Sequence, residues 1–125
     1  ITLCRALGIP AKWQSGSACY PDSIGSHDWA QFYIAPYGWL YCDPSYGEGA
    51  ARAGNEIRRD HYFANLDPFR LVASNQFQQP LTPDKAFCRM DPYDNQSGEA
   101  EYTDENIFFE DRDCGRRVLF AEEIE

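Results

Sequence analysis

The chain has 125 residues, of which 43 % are hydrophobic and 15 % aromatic, and a net charge of −9. That length fits one domain, that composition excludes general disorder, and no apolar run is long enough to cross a bilayer. The charge is uneven: residues 91–125 hold twelve Asp/Glu and three Arg, whereas residues 1–90 are balanced, so the tail reads as a solvated acidic surface and a nucleic-acid partner is disfavoured.

ITLCRALGIPAKW opens with helix formers, and Gly8 followed by Pro10 predicts a helix end. Seven residues make about two turns, too few to stand alone. The expectation is that Ile1–Leu7 is the last part of a longer helix, in a chain cut from a longer protein. No leader pattern of basic start, apolar stretch and small-residue cleavage site is visible.

Ala11–Gly16 predicts a strand, and Ser17–Ser26, rich in Ser, Gly and Pro, predicts a loop. HDWAQFYI and GWLYCD read as two strands around a turn at Ala35–Pro36–Tyr37. Pro44–Gly54 reads as a Gly-rich connector, and NEIRRDHYF as a short helix not cleanly separable from a strand. FRLVAS is strand-like, and Gln76–Lys85 is irregular. The end, EAEYTDENIFFE with a turn at Asp104–Glu105–Asn106 and then RRVLFAEEI, predicts two or three further strands. The fold class is α+β: a truncated helix on an antiparallel sheet. Residues 1–47 and 48–125 are read as core segment and extension of a single domain.

Alternate strand residues share a face, so His27, Trp29, Gln31 and Tyr33 lie together, as do Trp39, Tyr41 and Asp43 on the next strand. With the turn centred on Ala35, His27 opposes Asp43; centred on Pro36, Asp43 opposes Trp29 and His27 is its diagonal neighbour. Both registers put imidazole and carboxylate on one face, within reach of each other. An activated thiol or hydroxyl needs a base, and the base needs a third group to orient it. Trp29 and Trp39 would shield such a pair from water. The residues alone leave a second reading open, with His27 an exposed strand start and Asp43–Pro44 an ordinary turn.

The five cysteines, Cys4, Cys19, Cys42, Cys88 and Cys114, form no C-x-x-C and no zinc-site spacing. They read as buried small hydrophobes, with one disulfide possible. DPYDNQSGEAEY fails the EF-hand spacing and reads as a turn-rich loop. No metal or cofactor is expected. His61 reads as structural or exposed.

LCRALGIPAKWQSG followed by HDWAQFYIAPYGWLYCDPSYG resembles the core of the transglutaminase-like superfamily, at Arg5, Ala6, Gly8–Ala11, His27, Trp29, Gly38, Trp39, Asp43 and Pro44. Lys12 stands where the family usually has Arg. Residues beyond about 47 resemble the C-terminal extension of some bacterial members, which are often exported. The resemblance implies a papain-like α+β fold with a Cys–His–Asp triad, His27 matching the base and Asp43 its orienter. It also implies a nucleophilic cysteine at the start of the long helix, upstream of Ile1, so the partners expected are a peptide or protein substrate and that missing N-terminal part. Cys4 sits at the wrong helix end for thiolate activation, where the dipole opposes it. Cys42 alternates to the face opposite Asp43, and Cys19, in the expected loop, is the better outsider.

Three readings follow. The first is part of a transglutaminase-like enzyme that forms a thioester at peptide or glutamine amides, the fragment itself inactive. The second is a non-catalytic binding or scaffold module of that family. The third is an unrelated acidic β-rich interaction domain, favoured if His27 and Asp43 point apart.

Overall fold

A computed structural model describes residues 1–91, 96–113, 115–119 and 122. Helix α1 spans Thr2–Ala6. It ends as expected: Gly8 has φ +74°, its N–H donates to the Arg5 carbonyl at 3.0 Å, and the Ile9 N–H donates to the Cys4 carbonyl at 2.9 Å. These two bonds close a left-handed helix end that a Cβ would disfavour. Arg5 then donates through Nε and Nη2 to the Ala11 carbonyl, at 3.1 and 2.9 Å, fastening the helix end to the first strand.

Strands β1 (Ala11–Tyr20), β2 (Ser23–Ile34), β3 (Gly38–Cys42) and β4 (Arg70–Ser74) make one sheet in the order β3-β2-β1-β4. All its pairings are antiparallel. The expected loop over Ser17–Ser26 is instead the tip of a long hairpin, paired from Ala11↔Phe32 through to Tyr20↔Ser23. Of its small residues Ser17 and Ala18 are buried, whereas Gly25 has open space around it. β1 is an inner strand, buried from Gln14 to Ala18. The register with β4 slips between Ser15 and Gly16. There a Cβ on Gly16 would lie 1.9 Å from the Leu71 carbonyl oxygen. Small residues let the β4 backbone approach this closely.

The expected Gly-rich connector is a helix, α2 (Pro44–Arg52). Asp43 caps it and Pro44 takes its first turn, where a missing N–H costs nothing. NEIRRDHYF resolves to α3 (Glu56–Ala64), capped by Asn55, whose Oδ1 accepts the Arg58 N–H at 2.9 Å. Gly47 of α2 is buried against α3, 3.7 Å from the Arg59 carbonyl for an added Cβ. The Asp43 N–H donates to the Tyr62 carbonyl at 2.9 Å, so the end of β3 and the last turn of α3 are joined.

Beyond β4 the described residues form no further ladder. They contain an isolated bridge, Glu101↔Asn106, around the expected turn, and a short 3₁₀ helix at Phe109–Asp111. Part of RRVLFAEEI, and residues 92–95 of the acidic loop, lie outside the described residues. Carboxylates of this segment accept backbone N–H groups from the residues that precede it. Glu99 accepts the Met90 and Asp91 N–H groups at 3.0 and 2.7 Å, and Glu101 accepts the Ala86 N–H at 2.9 Å. Among the described residues no helix is long and apolar enough to cross a membrane.

Candidate active site

The β2–β3 hairpin adopts the second of the two expected registers. Pairing runs from Ile34↔Gly38 to Ala30↔Cys42 around the turn Ala35–Tyr37, which places Asp43 one step beyond, across from Trp29. His27 is then the diagonal neighbour. Its Nε2 lies 2.7 Å from Asp43 Oδ2. The Asp43 side chain is fully buried, and that of His27 is 17 % exposed, so the imidazole keeps an open edge while its partner does not. With Nε2 engaged, the ring nitrogen left to exchange a proton is Nδ1.

Asp43 has two tasks. Oδ1 accepts the Tyr46 N–H at 3.1 Å and starts α2. That turn lays the Tyr46 ring on the imidazole, 4.6 Å between centroids and 27° from parallel. Trp29 is 2 % exposed and lies on the other side of His27 along β2, its ring 6.5 Å away. Its indole N–H donates to Gln14 Oε1 at 2.7 Å, the residue opposite it on β1. The apolar flanks raise the strength of the His27–Asp43 interaction by excluding water.

Sequence reasoning missed Arg70. It pairs with Ala18 on β1, on the same sheet face as His27. Its side chain is 5 % exposed, and Nη1 sits 2.9 Å from Asp43 Oδ2, an ion contact not aligned as a hydrogen bond. The guanidinium lies over the Tyr46 ring at 4.5 Å and near the Trp29 ring at 5.4 Å. Nothing in FRLVAS marks this arginine as interior; only the ladder register brings it to Asp43.

Behind Arg70 stands Asp67. Its Oδ2 accepts from Arg70 Nη2 at 2.7 Å, Tyr62 Oη at 2.9 Å and Tyr20 Oη at 3.0 Å, and its Oδ1 accepts the Phe69 N–H at 3.0 Å. Burial alone would raise the Asp67 carboxyl. The bonds from Arg70, Tyr62 and Tyr20, with the guanidinium charge, instead hold it down at about 2. Burial, then the bonds to Tyr62 and Asp67, push the Tyr20 phenol up. For Arg70, burial works against its charge, but Asp67 and then Asp43 outweigh it and hold the guanidinium above its ordinary value.

The described cysteines do not join this constellation. Cys19 lies in β1, not in a loop, and pairs with Ile24, on the sheet face opposite to His27. Cys42 precedes Asp43 and alternates away from it. Burial, then the charge of Asp43, push its thiol up, which disfavours the thiolate. Cys4 lies in α1, and Cys88 is exposed beside Asn106. All four are free thiols, and Cys114 lies outside the described residues.

Trp39 does not join Trp29 beside the pair. It stands opposite Tyr33, packs edge-on against that ring at 5.7 Å, and carries Lys12 Nζ over its face at 4.3 Å. Tyr33 is six residues along β2 from His27, roughly 20 Å at strand rise. Tyr46 and Arg70 occupy the place expected of Trp39. His61 is exposed, its ring 5.2 Å from that of Tyr62. Among the described residues no group of His, Cys, Asp and Glu is arranged to hold a metal ion.

Residues 1–44 match the family model of the transglutaminase-like superfamily, a segment that runs from α1 through β1, β2 and β3 to the start of α2. The resemblance carried by His27, Trp29, Gly38, Trp39, Asp43 and Pro44 thus falls inside the matched segment, and Arg70 and Asp67 fall outside it. No curated protein and no solved structure matches the chain.

Proposed function

We propose that this chain is part of a transglutaminase-like cysteine enzyme acting on peptide or glutamine amide bonds. The observation that carries the reading is the 2.7 Å contact between His27 Nε2 and a fully buried Asp43. Burying a carboxylate is costly unless its partners recover the energy. Two ordinary polar hairpin ends would have stayed in water. The third reading, an unrelated interaction domain, is favoured by side chains that point apart, and the 2.7 Å contact does not favour it.

In this reading Asp43 orients His27, and Nδ1 receives the proton of a cysteine thiol. The thiolate adds to the amide carbonyl. The same proton returns from the imidazolium to the leaving amine, and the thioester passes its acyl group to water or to a second amine. The nucleophile is a cysteine outside the described residues, which in the family precedes the segment matched here. The described residues alone are then inactive. Residues 1–125 form one domain, with 48–125 as its extension. Supporting this, Arg116 reaches the Ser17 and Ser26 hydroxyls on the sheet.

The test is to label the protein, with its native flanking sequence, using a thiol-reactive amide analogue. His27→Ala should slow modification of the nucleophile by about 10²-fold or more, the scale of general-base catalysis. Modification at an unchanged rate would sink the reading. The competing scaffold reading draws on the placement of the four described cysteines away from His27. A residue other than cysteine at the upstream helix start would establish it.

A further inference from the structure

A guanidinium between two carboxylates is an unusual thing to bury at the back of a histidine. The line runs His27–Asp43–Arg70–Asp67, with Tyr20 and Tyr62 closing its far end. Asp43 and Asp67 each bring a negative charge, and Arg70 one positive charge. The balance leaves one unit of negative charge behind the imidazole. Without Arg70 that figure would double, and the negative charge favouring an imidazolium at His27 would grow. Without Asp67 the Asp43–Arg70 pair would be neutral, and nothing would compensate an imidazolium.

We propose that Arg70, anchored by Asp67, is a positioning residue of this site: it holds the buried Asp43 carboxylate toward His27 and sets the charge against which the imidazole gains and loses its proton. Three features carry the inference. The Arg70 side chain is 5 % exposed, so its charge acts through protein rather than through water. Asp67 takes both Nη2 and Nε, at 2.7 and 3.2 Å, which fixes the guanidinium in place. The Tyr46 ring packs against both groups, its centroid 4.6 Å from that of the imidazole and 4.5 Å from the guanidinium carbon. The inference deepens the acyl-transfer reading and takes its functional meaning from it.

Among the described residues, the charged and titratable groups facing His27 are Asp43 from the end of β3, Tyr46 from α2 and Arg70 from β4. Asp28, next in β2, lies on the other face but is felt electrostatically. Tyr20 from β1 and Tyr62 from α3 act at one remove, through Asp67.

The experiment is nitrogen-15 NMR of the histidine rings in this chain at neutral pH. It reads the ratio of doubly to singly protonated His27. Arg70→Gln is expected to raise that ratio about tenfold, because an opposite charge has been lost from Asp43. Asp67→Asn is expected to lower it about threefold, because the charge of Arg70 is then unshared. Arg70→Lys should stay within about twofold of the wild type, since the charge is kept and only the fork is lost. Opposite signs in the first two variants are the signature. A packing role would move both the same way, or neither. An unchanged ratio in Arg70→Gln with an intact amide spectrum overturns the proposal, as does a shift of one sign in both. If Arg70→Gln does not fold, Asp67→Asn and Arg70→Lys decide: an unchanged ratio in Asp67→Asn is fatal. The readout involves no cysteine. Failure of the labelling test would therefore remove the acyl-transfer reading and leave the charge relationship standing.

Discussion

Asp43 and Tyr46 are joined by a 3.1 Å bond from the Tyr46 N–H to Asp43 Oδ1, and that bond is what brings the Tyr46 ring onto His27. One carboxylate therefore orients the imidazole with one oxygen and builds the helix that covers it with the other. Substitutions at Asp43 should separate these tasks. Asparagine caps helices about as well as aspartate, and alanine does not. Asp43→Ala should be less stable than Asp43→Asn by about 1 kcal/mol in chemical denaturation. Both variants should fall below the wild type by roughly 3 kcal/mol or more, because Arg70 loses a buried charge partner. Equal stability of the two variants would mean that the cap contributes nothing.

Gly16 is the tightest point of the sheet. An added Cβ would meet the Leu71 carbonyl oxygen at 1.9 Å, which the β4 backbone must move to relieve. Gly16→Ala should destabilise the chain by about 1–3 kcal/mol, the usual range for overpacking. It should also displace β4 and so carry Arg70 away from Asp43. Gly25→Ala, at a site with nothing within 4 Å, is the control and should be near neutral. Thermal melts of the two variants make the comparison, and similar melting points would contradict it.

The indole of Trp29 is held by its N–H as well as by its area. Trp29→Phe keeps an aromatic ring but leaves the buried Gln14 Oε1 without its donor. An unsatisfied buried acceptor costs about 1–3 kcal/mol. Denaturant titration should show a loss in that range. A Trp29→Phe variant as stable as the wild type would show that the hydrogen bond is dispensable.

Acid should weaken the fold through Asp67. Its folded-state value is lowered to about 2 from the ordinary 3.8. A group lowered on folding contributes stability that is complete above its unfolded value and is lost as pH falls through its folded value. The loss should therefore run from just above pH 4 down to about pH 2. Stability measured across that window should fall less steeply in Asp67→Asn than in the wild type. Parallel pH profiles would rule out Asp67 as a source of the acid sensitivity.

Thiol reactivity should follow exposure and charge. Cys88 is exposed, whereas burial and then the charge of Asp43 hold the Cys42 thiol up. Alkylation at mildly alkaline pH, read by mass spectrometry, should modify Cys88 about tenfold faster than Cys42, as expected where thiolate population controls the rate. A faster Cys42 would require a different environment from the one seen beside Asp43.

Local sequence carried the first part of this structure well. The stop at Gly8, the alternation of HDWAQFYI and GWLYCD, and the odd-numbered turn at Ala35–Tyr37 were all legible, because each depends on neighbouring residues. The common face of His27 and Asp43 followed from strand period together with that odd-numbered turn. Ser17–Ser26 and Pro44–Gly54 misled for a shared reason. In each, a few small residues are buried against a neighbouring element, Ser17 and Ala18 beside β4 and Gly47 against α3, and in isolation they look like loop. Of the C-terminal strands expected, the described residues show only the isolated Glu101↔Asn106 bridge, and part of RRVLFAEEI lies outside them.

What the residue order made legible, then, was the pairing of His27 with Asp43, since a hairpin links them by local geometry. It had no means of finding Arg70, Asp67 or Tyr46. Arg70 reaches Asp43 because β4 pairs with β1 across more than fifty residues of chain. Its charge counts only because α2 and the sheet close over it. Trp39, which alternation placed on the right face, is far from the pair because a face has length as well as side. Periodicity gives the side. Register and packing between distant segments give the distance, and electrostatics inside a protein depends on distance and burial together.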